Sequence, residues 1–230
     1  MNIFPNPSER LRMTILSLEF SAKVRSVAIW IEGADSESQI IVTADDCGSD
    51  RIHPLRLIQE ALVRASLSAK DIDFIAVGLG PGSYTGIRSA IATAQGWSLG
   101  RPIKVGRVSS VDCIAEQARK AGILGRFYAV VDAQRDEFYV ADYESDGSIA
   151  TLRNPLRILT RPETASLPGP LVGPDLAACG LRGAEIVPSA AVVGLIAKRD
   201  AHLIEPSKLV PIYLREVAFI KAPPARILPK

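Results

Sequence analysis

The chain has 230 residues, of which 47% are hydrophobic and 23% charged, and this balance excludes general disorder. With 27 basic and 25 acidic residues, the net charge of +2 lacks the basic excess of a protein that binds nucleic acid unaided. No apolar run has the length of a membrane span, and three widely spaced cysteines without a CxxC pair indicate neither a zinc site nor a disulfide framework. We therefore expect a cytoplasmic protein without membrane contacts.

The first half of the chain predicts strands followed by alternating helices and strands. Residues 14–18, 24–32 and 39–44 are apolar and β-branched, and their spacing suits an antiparallel meander. Residues 54–66 place apolar and charged side chains on different sides of a helix that begins at a proline. Residues 73–77 are the next predicted strand, so that a helix beyond it completes the order βββαβα.

A glycine-rich turn follows that strand and leads into an unusually thin helix. Gly78, Gly80 and Gly82 around Pro81 predict a tight turn, and Ser83 or Thr85 can cap the helix that continues to Gly100. Because a glycine inside a helix costs about 1 kcal/mol relative to alanine, Gly96 predicts close packing against the sheet or another helix. The helix is thin because of its small residues, which are Gly86, Ser89, Ala90, Ala92, Thr93, Ala94, Gly96 and Ser98.

The second half again mixes strands and helices, which suggests a loose repetition of the α/β unit and two related lobes. We place the first lobe at 13–107 and the second at 108–222, with a flexible N-terminal extension at 1–12 and a flexible tail at 223–230. In chain order we predict a strand within 101–108, a helix to 121, a strand pair at 126–133 and 136–143, loops with short strands and one short helix over 155–183, and a helix at 189–198.

Residue types alone reveal no catalytic constellation. The glycine turn precedes a helix N-terminus, where anions bind readily, but it lacks the lysine of a phosphate-binding loop. A GxSxG nucleophile elbow around Ser83 would need glycine at Pro81. His53 and His202 are the only histidines and lack metal-ligand spacing. Asp132 and Glu137 form either an acid–base pair or, as we favour, a pair that stabilises a turn.

Four stretches in order resemble the bacterial TsaB (YeaZ) family. GLGPGSYTGIRSAIATAQGWSLG is similar to the family's GPGSFTGxRxGxxxAxGLA signature. TILSLEFSAKVRSVAIW resembles its opening strand pair, VVDAQRDEFYVADY its IDAR hairpin and EPSKLVPIYLREVA its C-terminal segment, so that the resemblance spans residues 14–218.

The resemblance implies a fold and a role. The fold is α/β and two-lobed, of the actin/Hsp70/sugar-kinase (ribonuclease H-like) type, with a mixed sheet and helices in each lobe. The role is that of a non-catalytic subunit, without cofactor or metal, that binds a TsaD-like catalytic subunit. With a TsaE-like ATPase, these proteins attach threonylcarbamoyl to the adenosine beside the anticodon. tRNA is contacted indirectly through the complex, and the isolated protein forms a homodimer.

The resemblance also implies an interface formed by the helices at 54–66 and 85–99. Gly80, Pro81, Gly82, Thr85 and Gly86 are expected to form a structural turn. The expected partner-interface residues are Leu55, Ile58, Leu62, Tyr84, Ile87, Ile91, Ala94 and Trp97.

One segment departs from the family pattern. Leu18, Glu19 and Phe20 stand where the family has I-D-T, which argues against nucleotide binding. The alternative hypothesis, a degenerate ATP-binding phosphotransferase or ATPase, depends on the glycine turn and Asp132. A third hypothesis, a peptidase, would need a metal or a triad.

Overall fold

Two mixed β-sheets with helices form the frame of this protein, which we describe from a computed structural model of residues 13–32, 39–47, 54–200 and 203–214. Those parts of the chain contain, in order, β1 (Thr14–Glu19), β2 (Val24–Glu32), β3 (Gln39–Cys47), α1 (Pro54–Arg64), β4 (Phe74–Gly78), α2 (Tyr84–Gly100), β5 (Lys104–Val108), α3 (Ser110–Lys120), β6 (Gly125–Asp132), β7 (Glu137–Ser145), β8 (Ala150–Thr160), α4 (Arg161–Ala165), β9 (Leu171–Gly173), β10 (Ala184–Glu185), α5 (Ala190–Asp200) and β11 (Leu203–Ile204).

The two sheets repeat one topology. The first has the order β11-β5-β4-β1-β2-β3, with β1, β2 and β3 antiparallel and β4 and β5 parallel to β1. The second has the order β10-β9-β6-β7-β8, with the same antiparallel meander and the same parallel extension. This repetition confirms the predicted two-lobed α/β fold and the order βββαβα.

Alternating side chains let the first sheet bury both of its faces. Leu16 and Leu18 of β1 belong to the core beneath α1 and α2, whereas Ile15 packs on the opposite face with α5. α5 approaches that face closely, because Gly194 has no side chain to displace and the Trp30 indole Nε1 donates to the Ala191 carbonyl at 2.9 Å.

The chain returns to the first lobe after the second sheet is complete. β11 pairs with β5, and α5 packs on the first sheet, while α3 covers the inner face of the second sheet and contacts α5. The predicted second-lobe range of 108–222 therefore includes segments that join the first sheet. The predicted extension at 1–12 and tail at 223–230 lie outside the described residues.

β8 differs most from the sequence-based expectation, which placed loops and short strands after Pro155. Residues 150–160 form a continuous strand at the edge of the second sheet, with a register irregularity opposite Asp142. An edge strand tolerates proline because one side of its backbone needs no hydrogen-bond partner. The short helix predicted after Pro162 is present as α4.

Candidate functional site

The glycine turn, residues 78–86, lies directly against the turn between β1 and β2. The Ser83 backbone N–H donates to the Ser21 carbonyl at 2.7 Å. A Cβ atom at Gly82 would lie 2.2 Å from that carbonyl oxygen, and one at Gly86 would lie 1.9 Å from the Phe20 carbonyl oxygen. These glycines are therefore required by the close approach of a backbone turn.

The same contacts leave the turn poorly suited to a phosphate group. An anion site at a helix N-terminus needs free backbone N–H groups. Here the N–H of Ser83 is bonded to Ser21, that of Gly86 to the Ser83 hydroxyl at 3.3 Å, and that of Gly80 to the Ser110 hydroxyl at 3.1 Å. The predicted Ser83 cap of α2 is confirmed.

Glu19, at the end of β1, is completely buried where the two lobes join. Its carboxylate accepts hydrogen bonds from the Ser21 backbone N–H at 2.8 Å and from the Ser110 hydroxyl at 2.9 Å. A Cβ at Gly78 would lie 2.1 Å from Glu19 Oε2, so only glycine leaves room for this side chain. Burial raises the pKa of Glu19, and hydrogen bonds from Ser21 and Ser110 only partly offset this. Glu19 therefore connects β1 to the N-terminus of α3.

Four of the eight predicted partner-interface residues are buried and need correction. Ile58, Ile87, Ile91 and Ala94 are all less than 7% exposed and belong to the core beneath α1 and α2. They cannot contact a partner because they already pack against the first sheet. The apolar spacing that predicted them marks the buried stripe of each helix.

The other four predicted residues are at least partly accessible. Leu55 and Tyr84 are 68% and 60% exposed. Leu62 and Trp97 are partly buried and pack on the core from its margin. These four positions remain candidates for partner contact.

Both helices also leave outward positions uncovered that the sequence reasoning missed. Val63 of α1 is 70% exposed and Leu99 of α2 is 90% exposed. Ala92 and Gly96 are exposed on α2, and no atom of the described chain lies within 4 Å of a Cβ built at Gly96. We define the α1–α2 outer face as Leu55, Val63, Ala92, Gly96 and Leu99. Periodicity alone could not mark these positions as exposed, since Leu55 and Val63 fall among the apolar positions of α1.

An open cleft of about 970 Å³ separates the two lobes. One wall is formed by the β1–β2 turn and the start of α2, and the other by the β6–β7 hairpin and the segment after β9. Lys23 and Asp175 form an ion pair across it, with 3.1 Å between Nζ and Oδ1. Tyr84 stacks on Tyr213 at 5.5 Å between ring centroids, and the Arg88 guanidinium lies over the Tyr84 ring.

Asp132 lines this cleft but its oxygens are engaged locally. They accept hydrogen bonds from the Gln134 backbone N–H at 2.7 Å and from the Gln134 side-chain amide at 2.8 Å. Asp132 is opposite Phe138 in the strand register, so Glu137 is not its direct cross-strand neighbour. This arrangement is the turn-stabilising role favoured above for Asp132.

Within the described ranges, no group of three or more His, Cys, Asp and Glu side chains is placed to hold a metal ion. His53 and His202 lie outside those ranges. Cys113 is buried and Cys179 lies at the cleft, both as free thiols. No helix in the described part of the chain is long and apolar enough to cross a membrane.

Comparison with known proteins gives a consistent picture. The Escherichia coli (strain K12) tRNA threonylcarbamoyladenosine biosynthesis protein TsaB is 33% identical over 134 residues, covering 58% of this chain and 56% of that relative. The protein of the same name from Haemophilus influenzae is 32% identical over 127 residues, covering 55% of this chain and 52% of the relative. The matched region thus spans about half the length of these curated relatives.

A solved structure and a family model extend the match. The crystal structure of an uncharacterised Pseudomonas aeruginosa protein with similarity to the peptidase YeaZ has a TM-score of 0.74 and 26% identity, covering 88% of this chain and all of the other. The model of the TsaD family, tRNA N6-adenosine threonylcarbamoyltransferase, matches residues 50–179, more than half of the chain. The chain belongs to the TsaD family and, within it, to the TsaB (YeaZ) group.

Membership of the TsaB group confirms the family expected from the four sequence stretches. The matched region contains the glycine turn, both helices of the α1–α2 outer face and the β6–β7 hairpin. In this TsaB-group chain the glycine turn is filled by the protein's own backbone.

Proposed function

We propose that this chain takes part in the biosynthesis of threonylcarbamoyladenosine in tRNA, as a non-catalytic scaffold subunit that binds and activates a TsaD-like catalytic subunit. The names of its Escherichia coli and Haemophilus influenzae relatives support the pathway. The scaffold role is supported by the histidine content, since the family resemblance implies a histidine pair at the catalytic subunit's metal. The two histidines of this chain, at positions 53 and 202, are far apart in sequence.

The α1–α2 outer face carries the proposal of partner binding. Large apolar side chains are normally buried, yet Leu55, Val63 and Leu99 are more than two-thirds exposed on one helix pair. Ala92 has only a methyl side chain and Gly96 has none, so another helix can approach closely at these positions. We propose that helices of the catalytic subunit pack here, and that two copies of this chain pair through the same face when the subunit is absent.

The remaining parts of the proposal concern the assembly. A TsaE-like ATPase joins the complex, and this chain contacts tRNA indirectly through that complex. The assembly works in the cytoplasm. Each follows from the family resemblance, and the genetic test below addresses the pathway that they share.

That test uses cells depleted of their own TsaB-group protein. Expression of the wild-type chain should restore threonylcarbamoyladenosine, measured by mass spectrometry of nucleosides from digested tRNA. Ala92→Arg, which places a long charged side chain on the outer face, should fail to restore it, while Ala165→Arg on the exposed side of α4 should restore it fully. Equal restoration by both variants would contradict the proposed interface.

The alternative function, an ATP-dependent phosphotransferase or ATPase, is favoured by the size of the interlobe cleft. The bonded N–H groups of Gly80, Ser83 and Gly86 and the buried carboxylate of Glu19 argue against it. Calorimetry with ATP and Mg²⁺ on the purified chain separates the two functions. Tight binding with turnover would support the enzyme, and no heat of binding would support the scaffold.

A further inference from the structure

We infer that the interlobe cleft binds the phosphodiester backbone of an RNA strand, with Arg25 and Arg135 contacting phosphates from opposite walls. This inference rests on the proposed function and goes beyond it, because the scaffold role alone requires no RNA contact by this chain. It starts from three features of the cleft, which are a fixed hairpin, two arginines that form no ion pair with another described residue, and a stacked pair of tyrosines.

The β6–β7 hairpin holds Arg135 in an unusual backbone conformation. Gln134, Arg135 and Asp136 are consecutive non-glycine residues with φ values of 63°, 60° and 63°. Such left-handed conformations are uncommon for residues with side chains and often mark binding sites. The hairpin is fastened at both ends, by Gln134 bonded to Asp132 and by the Arg161 guanidinium bonded to Asp136. Arg135 lies between these two hydrogen-bonded residues and lines the cleft.

The cleft is lined by three basic side chains, Lys23, Arg25 and Arg135, and by two carboxylates, Asp132 and Asp175. Lys23 is paired with Asp175, and both oxygens of Asp132 are occupied by Gln134. Within the described ranges, neither Arg25 nor Arg135 forms an ion pair. Two positive charges on opposite walls of one cleft favour an anion between them.

The form of the site fits a phosphodiester better than a terminal phosphate. A terminal phosphate is usually bound by converging backbone N–H groups, and in the glycine turn those of Gly80, Ser83 and Gly86 are already bonded within the protein. Backbone phosphates of nucleic acids are instead contacted mainly by arginine and lysine side chains. The stacked Tyr84 and Tyr213 at the cleft add an aromatic surface on which a base can stack.

The net charge of only +2 is compatible with this role. The cleft would add a local contact to RNA that the larger complex holds, rather than provide the whole affinity. A local contact has a measurable signature, since each lost phosphate contact on a single strand lowers the salt dependence of binding by about 0.7 in log–log slope.

The test measures binding of a fluorescent anticodon stem-loop RNA to the full chain, both alone and mixed with its TsaD-like subunit. Arg135→Glu should weaken binding about tenfold and lower the salt slope by about 0.7. Arg25→Glu should act in the same direction, and Arg135→Lys should retain most of the affinity because it keeps the charge. Arg182→Glu, an exposed charge reversal away from the cleft, is the matched control and should bind like wild type.

Several outcomes would overturn the inference. One is no RNA binding in either setting, and another is wild-type affinity in both Arg25→Glu and Arg135→Glu. If inorganic pyrophosphate binds the wild-type chain but the RNA does not, the cleft is a small-anion site only. Restored tRNA modification in depleted cells, together with wild-type RNA affinity of both Arg25→Glu and Arg135→Glu, would refute this inference and leave the proposed function intact. Failure of the wild-type chain to restore modification would instead refute the proposed function.

Discussion

The backbone N–H of Ser83 donates a 2.7 Å hydrogen bond to the carbonyl of Ser21, joining the start of α2 to the turn between β1 and β2. This close approach explains why the turn around Ser83 has glycine at positions 82 and 86. It also explains why a motif that resembles a phosphate-binding turn serves here to position a helix. The orientation of α2, and therefore of the α1–α2 outer face, depends on this contact.

Gly82→Ala should destabilise the protein. The new Cβ would lie 2.2 Å from the Ser21 carbonyl oxygen, and φ at this residue is 146°, which disfavours any side chain. We expect a loss of about 2 kcal/mol or more in the free energy of unfolding, measured in urea.

Gly96→Ala is the matched control for that substitution. It lies inside α2, four residues before the end of the helix, and nothing in the described chain is within 4 Å of the added atom. Alanine should therefore raise the free energy of unfolding by about 0.5–1 kcal/mol. Equal effects of the two substitutions would show that the close approach at Gly82 has no energetic importance.

Glu19→Gln should change how stability depends on pH. Burial raises the pKa of Glu19 above its ordinary value of 4.5 in the folded state, so folding favours the protonated carboxyl. The contribution of this group is fully present below the ordinary pKa and is lost as pH rises through the folded one. Glutamine resembles the protonated form and should remove that loss.

The measurement is urea unfolding of both proteins from pH 4 to pH 8. The free energy of unfolding of the glutamine variant should rise relative to that of wild type as the pH increases through this window. The rise should begin near the ordinary pKa of a glutamate side chain. Parallel curves would show that Glu19 titrates alike in the folded and unfolded chain.

Asp142→Asn should show the opposite pH dependence. Burial alone would raise the pKa of Asp142, but hydrogen bonds from Arg126 and Asn154 outweigh it and lower the pKa below its ordinary 3.8. This stabilisation is present above the ordinary pKa and is lost as pH falls through the folded one. The variant should unfold about 2–6 °C lower than wild type at pH 7, with a smaller difference near pH 3, as calorimetry can measure. If the two unfolding temperatures differed by the same amount at every pH, the lowered pKa of Asp142 would make no contribution to stability.

Leu99→Glu should convert a homodimer of the isolated chain into a monomer. Leu99 is 90% exposed on α2, and a carboxylate buried between two helix pairs without a partner would be costly. Light scattering coupled to size-exclusion chromatography gives the mass directly. A dimer that survives the substitution would place the self-association on another surface.

Local patterns predicted most of the secondary structure, because apolar periodicity marks what is buried in each element. The predicted strand at 24–32 has the observed bounds of β2, and the predicted helix at 54–66 contains α1. β8 was missed because this exposed edge strand contains Pro155, does not alternate apolar and polar residues, and has few β-branched residues.

The binding surface was harder to predict because periodicity cannot distinguish a core from an interface. Ile91 and Ala94 follow the helical repeat, and both face the first sheet. Leu99 lies off that repeat and is therefore exposed. The return of α5 to the first lobe was also missed, since it depends on contacts of Gly194 and Trp30 that are distant in sequence.

The most direct test of the scaffold proposal is the affinity of the purified chain for its TsaD-like subunit, measured by calorimetry for wild type, Ala92→Arg and Ala165→Arg. The account predicts that Ala92→Arg weakens binding at least about a hundredfold, the effect of burying an unpaired charge in a packed helix interface. Ala165→Arg should bind like wild type, and all three proteins should unfold at similar temperatures. Wild-type affinity of Ala92→Arg would contradict the claim that the α1–α2 outer face is the docking surface.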